Sequence, residues 1–277
     1  MHNQIEFTDI IKRALAEDIG QGDITSNLLI PENQDAEMAF VAREEMVVCG
    51  VFIPKMVYEI IGAGVSVSVI AEEGKLITKN TVLAVAKGNA RILLAGERVA
   101  LNIMQRMCGI ATLTHKYVEA VTGTKAVILD TRKTIVNIRV MDKYAVTVGG
   151  GKNHRMRLDD MVLIKDNHIA LCGGIKESVA KARTGTKLPI VVECDTLQQI
   201  DEALAAKPDR IMLDNMDNVM LKRAVAFVGG RIPLEASGGV SLETIYDIAK
   251  TGVDFISVGR ITHSAVAVDI GADIVFA

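Results

Sequence analysis

Four cysteines in 277 residues, Cys49, Cys108, Cys172 and Cys194, stand far apart with no CxxC pair. That excludes a disulfide framework or a zinc knuckle and suits reduced thiols that pack as small apolar groups. Aromatic residues make up only 4%, beside 49% hydrophobic and 23% charged residues, a balance that excludes disorder or a fibre and fits a globular protein. No charge of one sign dominates: 31 Lys and Arg against 34 Asp and Glu leave -3, so no global surface for nucleic acid or another polyanion is implied. No apolar run reaches the roughly 18 residues of a membrane span, and the segment MHNQIEFTDIIKRALAEDIGQGD lacks the apolar stretch of a secretory signal. The expectation is a cytoplasmic protein with neither a membrane nor a nucleic-acid partner. The absence of GxxxxGK[ST] and GxGxxG argues against an NTPase or a Rossmann dehydrogenase, and His115, His168 and Glu119 form no compact zinc-ligand set.

What is present falls into two rhythms. Up to about residue 108 the pattern is mixed: a helix over Phe7 to Asp18, strands near Met38 to Val48, Val65 to Ile70 and Thr81 to Ala86, and a helix at Ile53 to Ile61. A long helical pattern from Arg91 to Val121 joins the halves. Beyond residue 124, short β-branched runs alternate with helical stretches, as in AVILDTRK, MVLIKDNH, PIVVECD, RIMLDN, IPLEASGG and DFISVGR. Their ends near 130, 165, 194, 214, 236 and 258 are spaced as repeated βα units require, which predicts a parallel sheet. The expected domains are 1–108 and 109–277, with the final residues packing back on the first.

Each predicted strand ends in residues its apolar body does not foretell: Asp130 to Lys133, Lys165 and Asp166, Glu193 and Asp195, Asp214, Ser237 to Gly239, and Gly259. Loops at the carboxyl ends of parallel strands form the active mouth of α/β barrels, so these residues are expected to converge. Between Arg132 and Lys165 lie eight Lys or Arg and three Asp, a local +5 that leaves -8 elsewhere and suits a cleft for a small anion. His154 and Arg155 follow the run Gly149 to Gly151, where the glycines either approach a ligand or stop a helix. EASGG and SVGR each pair a strand end with glycine, an arrangement for cradling phosphate on backbone N–H groups at a helix start. Glu193 and Asp214 end neighbouring strands, fit to hold sugar hydroxyls or a Mg2+ that keeps several waters. A Schiff-base lyase acting through Lys165, and a non-enzymatic nucleotide-sensing or scaffold protein, remain open on these residues alone.

Taken together, GERVALNIMQRMCGIATLT (96–114), ILDTRKT (128–134), KYAVTVGGGKNHR (143–155), LIKDNHI (163–169), IMLDNM (211–216), LEASGGV (234–240) and ISVGRITHSAVAVDIG (256–271) closely resemble the quinolinate phosphoribosyltransferases. The resemblance spans nearly the whole chain. It implies an N-terminal α/β sandwich domain plus an incomplete parallel α/β barrel, in a homodimer or higher oligomer with shared active sites. The implied reaction joins quinolinate and phosphoribosyl pyrophosphate to give nicotinate mononucleotide, pyrophosphate and CO2, with Mg2+. Carried over by position, Arg132, His154, Arg155 and Lys165 are implied to bind the quinolinate carboxylates, joined by Arg98 of the other subunit. Lys133 and His263 match residues near the pyrophosphate. Glu193 and Asp214 match the pair at the ribose hydroxyls and the metal, directly or through water, and Ser237, Gly238, Gly239 and Gly259 match the 5'-phosphate loops. The residue types agree, because arginine forks bind carboxylates bidentately. The chain departs from the family where Ile135 to Ile138 replace a usual Thr-Pro-Gly-Leu and where Arg260 stands for a commoner Ala. Of the substituted residues, Asn137 is the one suited to a positive φ. The altered loop is also the feature that would suit a paralogue acting on another acid.

Overall fold

A computed structural model describes residues 2–62 and 64–275. Two compact units divide them. The first comprises the described residues up to His115, Ile135–Gly150 and those from Ala265 onward; the second comprises Lys116–Thr134 and Gly151–Ser264.

In the first unit, strands β1 (Asp35–Ala42), β2 (Met46–Val47), β3 (Val65–Val69), β4 (Leu76–Ile77) and β5 (Val82–Asn89) come before the long helix Ala90–Ala120. An antiparallel sheet forms from β3, β5, β1 and a strand near the end of the chain, Ile270–Val275, which pairs along β1 from Ala42↔Ile270 to Glu37↔Val275. The helices His2–Ile19 and Ile53–Ile61 belong to the same unit. Met38, Phe40, Val57, Tyr58, Leu83 and Leu93 are buried there, each such side chain contributing about 1.5 to 3 kcal/mol on transfer from water. The single strand expected over Met38 to Val48 is broken into two. Arg43, Glu44 and Glu45 interrupt it, and the short β2 turns away to pair with β4.

The second unit is a six-stranded, all-parallel sheet: β6 (Val127–Leu129), β7 (Val162–Ile164), β8 (Ile190–Cys194), β9 (Arg210–Asp214), β10 (Leu234–Ser237) and β11 (Phe255–Ser257), with the Ile270–Val275 strand completing the count as β12. Spatial order is β6-β11-β10-β9-β8-β7, and among the described residues no ladder joins β7 back to β6. The barrel is therefore incomplete, as the resemblance implies. Lys152 extends the β6 edge through a parallel bridge to Leu129.

Register explains why the strand ends converge. Asp214 pairs with Ser237, Glu193 and Glu235 both align with Met212, and Ser257 aligns with Leu129. Side chains two apart on a strand share a face, so Glu193, Met212, Asp214, Glu235, Ser237 and Ser257 stand on one side. Ile164, Val192, Ile211, Leu213, Leu234, Ala236 and Ile256 alternate to the other side and are buried.

Candidate active site

The carboxyl ends of these strands surround a cavity of about 700 Å³, a volume within the range of small-molecule sites. Its walls include Arg132, Lys133, His154, Arg155, Lys165, Glu193, Asp214, Ser237, Gly238, Gly239, Gly259 and His263, all in the second unit. Twelve of the expected site residues are thus gathered by elements that lie far apart in sequence. Arg98 belongs to the first unit, on the long helix, with its side chain 57% exposed and 3.5 Å from Glu97.

One end of the cavity is cationic. Lys165 follows β7 and its Nζ forms an ion pair with Glu193 Oε2. That pairing engages the nitrogen which a Schiff-base nucleophile would need free. Arg155 Nη1 reaches the Met161 carbonyl at 3.5 Å. Burial, and then the charge of neighbouring Arg132, pull the Arg155 guanidinium below its ordinary range. Two guanidiniums placed this close repel, and a bound dicarboxylate would relieve that repulsion. Of the other cations in the basic window, Arg139 and Lys143 belong to the first unit, and Lys143 is wholly buried.

The other end is built from turns. Gly238 and Gly239 have φ of 98° and 62°. A Cβ on Gly238 would lie 2.1 Å from Asn215 Oδ1, so the backbone passes Asn215 at a distance that only glycine permits. Asn215, itself at φ 53°, donates from Nδ2 to Asp214 Oδ2 at 2.6 Å and from its backbone N–H to the Ser237 carbonyl at 2.8 Å. Gly259 caps the short helix Arg260–His263, and a Cβ there would meet the His263 ring and Lys133 Cδ, each at 3.2 Å. Thr262 Oγ1 donates to the Lys133 carbonyl at 2.8 Å, tying that turn to the loop after β6.

Local expectations change at several points, and one open choice is settled. A helix starts at Gly259 but not at Gly238 and Gly239, since the next helix begins only at Ile245; a turn of left-handed glycines takes its place. The glycine run splits: Gly149 caps the helix Arg139–Val148, and a Cβ on it would meet the Ala111 carbonyl at 2.4 Å, so it is a helix stop pressed against the chain. Asp195 is exposed at a helix start, where its N–H donates to Gln199 Oε1, and it is not a cavity wall. In the departing loop Asn137 does take the positive φ, 66°, and Ile135 N–H donates to Asp142 Oδ2 at 3.2 Å.

Sequence reasoning assigned no role to Glu235. It is fully buried on β10, accepts from Arg210 Nη1 at 2.8 Å and from Ser257 Oγ, and lies 3.5 Å from His154 Nε2. Burial raises its carboxyl, but His154, Ser257 and Arg210 outweigh that and hold it below the usual range. The signal was available: a glutamate inside the short apolar strand Leu234–Ser237 must have buried partners.

A cavity at the open ends of a parallel sheet, with clustered cations, two carboxylates and glycine turns, defines an α/β enzyme site for a polyanionic ligand. Residues 23–108 match the family model described as the quinolinate phosphoribosyl transferase N-terminal domain, and residues 110–273 match that of the C-terminal domain. The chain is 41% identical to the chloroplastic nicotinate-nucleotide pyrophosphorylase (carboxylating) of Arabidopsis thaliana, over 99% of this chain and 84% of that one. It is 40% identical to the probable nicotinate-nucleotide pyrophosphorylase (carboxylating) of Bacillus subtilis, over 98% and 94%. The solved nicotinate-nucleotide pyrophosphorylase of Ehrlichia chaffeensis superimposes with a TM-score of 0.93 at 43% identity, covering 97% of this chain and 98% of that chain. The chain belongs to the quinolinate phosphoribosyltransferase family.

Proposed function

We propose that this protein transfers the phosphoribosyl group of phosphoribosyl pyrophosphate to quinolinate with loss of CO2, giving nicotinate mononucleotide and pyrophosphate in NAD biosynthesis. The observation that carries this reading is the gathering of Arg132, Lys133, Arg155 and Lys165 with Glu193, Asp214 and the glycine turns around one cavity. Quinolinate is a dianion at neutral pH, and the Arg132, Arg155 and Lys165 end offsets the cost of taking its carboxylates out of water. His154 closes that end. Ser237, Gly238, Gly239 and Gly259 receive the 5'-phosphate on backbone N–H groups, and His263 and Lys133 face the pyrophosphate. Glu193 and Asp214 hold the ribose hydroxyls and favour positive charge developing at C1 while the pyridine nitrogen attacks it. The cationic ring nitrogen of the adduct then favours loss of the adjacent carboxylate.

The donor set fits Mg2+. Two carboxylates at neighbouring strand ends, and no cluster of three His, Cys, Asp or Glu among the described residues, suit an ion completed by water and substrate phosphates. Glu193 and Asp214 are the residues to hold it, directly or through water. Bound there, the metal neutralises charge on the departing pyrophosphate.

The acting species is a homodimer in which the exposed Arg98 of one subunit completes the partner's carboxylate site. Cytoplasmic residence suits the four free cysteines, three of them buried, and no helix among the described residues is long and apolar enough to cross a membrane.

The test is incubation with quinolinate, phosphoribosyl pyrophosphate and Mg2+, following nicotinate mononucleotide and CO2 together, with nicotinate replacing quinolinate in parallel. Equal yields of nucleotide and CO2, from quinolinate only and abolished by EDTA, are expected. Folded protein that binds phosphoribosyl pyrophosphate yet makes no product overturns the reading.

A further inference from the structure

Glu235 is absent from the cavity walls, yet it touches two of them, His154 and Ser257. These walls lie at opposite functional ends. His154 precedes Arg155 at the cationic end, and Ser257 stands two residues before Gly259 in the phosphate turn. Around His154 the backbone N–H and both ring nitrogens face protein groups. Its backbone N–H donates to Asp130 Oδ1 at 2.8 Å, its Nδ1 accepts the Arg155 backbone N–H at 2.7 Å, and its Nε2 faces Glu235 Oε1 at 3.5 Å. A backbone N–H is only a donor, so Nδ1 must be the acceptor and the ring proton belongs on Nε2, toward the carboxylate. On the far side Arg210 Nη1 donates to Glu235 Oε2 at 2.8 Å, and its guanidinium lies 3.9 Å from the centre of the Phe255 ring, which holds the carboxylate from below.

We propose that Glu235 is a positioning residue that fixes His154 as the Nε2–H tautomer and seats Ser257, bracing the carboxylate-binding and phosphate-binding ends of the cavity from one buried point. His154 then offers no Nδ1–H to quinolinate. Its ring orients the Arg155 backbone, and the dianion is neutralised by guanidinium and ammonium groups alone. This rests on the transferase reading for the identity of the two ends, but the tautomer is a property of the ligand-free protein.

Two measurements test it. The first is nitrogen-15 NMR of the full chain labelled at its five histidines, with the His154 signals assigned by their loss in His154→Asn. The proposal expects Nδ1 unprotonated and Nε2 protonated at neutral pH; an Nδ1–H tautomer or an imidazolium overturns it, whether or not the enzyme turns over. The second compares steady-state kinetics of Glu235→Gln and Ser257→Ala. The glutamine keeps the shape but turns an N–H toward a donor, so KM should rise on the order of 10-fold to 100-fold for both substrates. Ser257→Ala should raise KM for phosphoribosyl pyrophosphate alone. A Glu235→Gln protein that melts lower but keeps both KM values also overturns the proposal. Should that variant not fold, the wild-type tautomer and Ser257→Ala decide. An inactive wild type with the expected tautomer sinks the transferase reading and leaves the brace standing.

Discussion

Arginine 155 shows how a single residue is held ready for a ligand. Its guanidinium is pulled below its ordinary range first by burial and then by Arg132, against a smaller opposing pull from Asp160, so the site carries a burial cost and like-charge repulsion that a dicarboxylate would relieve. Arg155→Lys keeps the charge and removes the planar fork. It should raise KM for quinolinate about 10-fold to 100-fold, the worth of one charge-assisted pair, and leave KM for phosphoribosyl pyrophosphate nearly unchanged. Arg155→Met should abolish quinolinate binding and yet raise the melting temperature of the ligand-free protein, because the repulsion goes with the charge. Calorimetry with and without quinolinate reads both; a variant that melts lower without ligand would count against stored repulsion. Lys133 behaves differently, since its proposed work falls on the leaving group. Lys133→Ala should lower kcat by about 10²-fold to 10³-fold with little change in quinolinate KM, and a pure KM effect would move Lys133 out of the transition state.

At the scale of elements, the turn after β10 and the end of β9 act as one piece. Asn215 presses on Gly238 and orients Asp214, so a methyl at Gly238 displaces a phosphate turn and a carboxylate together. Gly238→Ala should cost about 1 to 3 kcal/mol of stability from the positive φ alone, and should raise KM for phosphoribosyl pyrophosphate more than that for quinolinate. Urea unfolding beside two-substrate kinetics tests this; normal kinetics in a destabilised protein would separate the turn from the site. Much of this level was legible in the sequence. The helix Ile53–Ile61 has the expected bounds, and the strand ends at Leu129, Ile164, Cys194, Asp214, Ser237 and Ser257 lie within a residue of their expected positions. Short β-branched runs bounded by polar residues, and the helical spacing of apolar residues, carry that information locally. The continuation of β5 to Asn89 was not legible, because it depends on the ladder with Asp35. Nor was the allegiance of Gly149, which depends on Ala111, or the role of Glu235, whose partners come from three other segments. Residue type announced that each needed a partner; only the fold supplied which one.

For the whole molecule the decisive residue is Arg98, the one expected ligand group carried by the first unit. Its side chain is 57% exposed, with Glu97 at 3.5 Å, and a charge so placed gains little stability from its surroundings. If it serves the partner's carboxylate site, the defects of Arg98→Ala and Lys165→Ala lie in different sites of a hybrid dimer. One site then has both substitutions and the other has neither. Equal mixing with free exchange makes about half the dimers hybrid, each with one of two sites intact, so activity should return to about a quarter of wild type from two nearly inactive parents. If Arg98 served its own subunit, every site in every hybrid would carry one defect and nothing would return. Mass spectrometry of subunits labelled with different isotopes establishes that hybrids have formed, and the activity of that mixture decides whether one chain or two build the site.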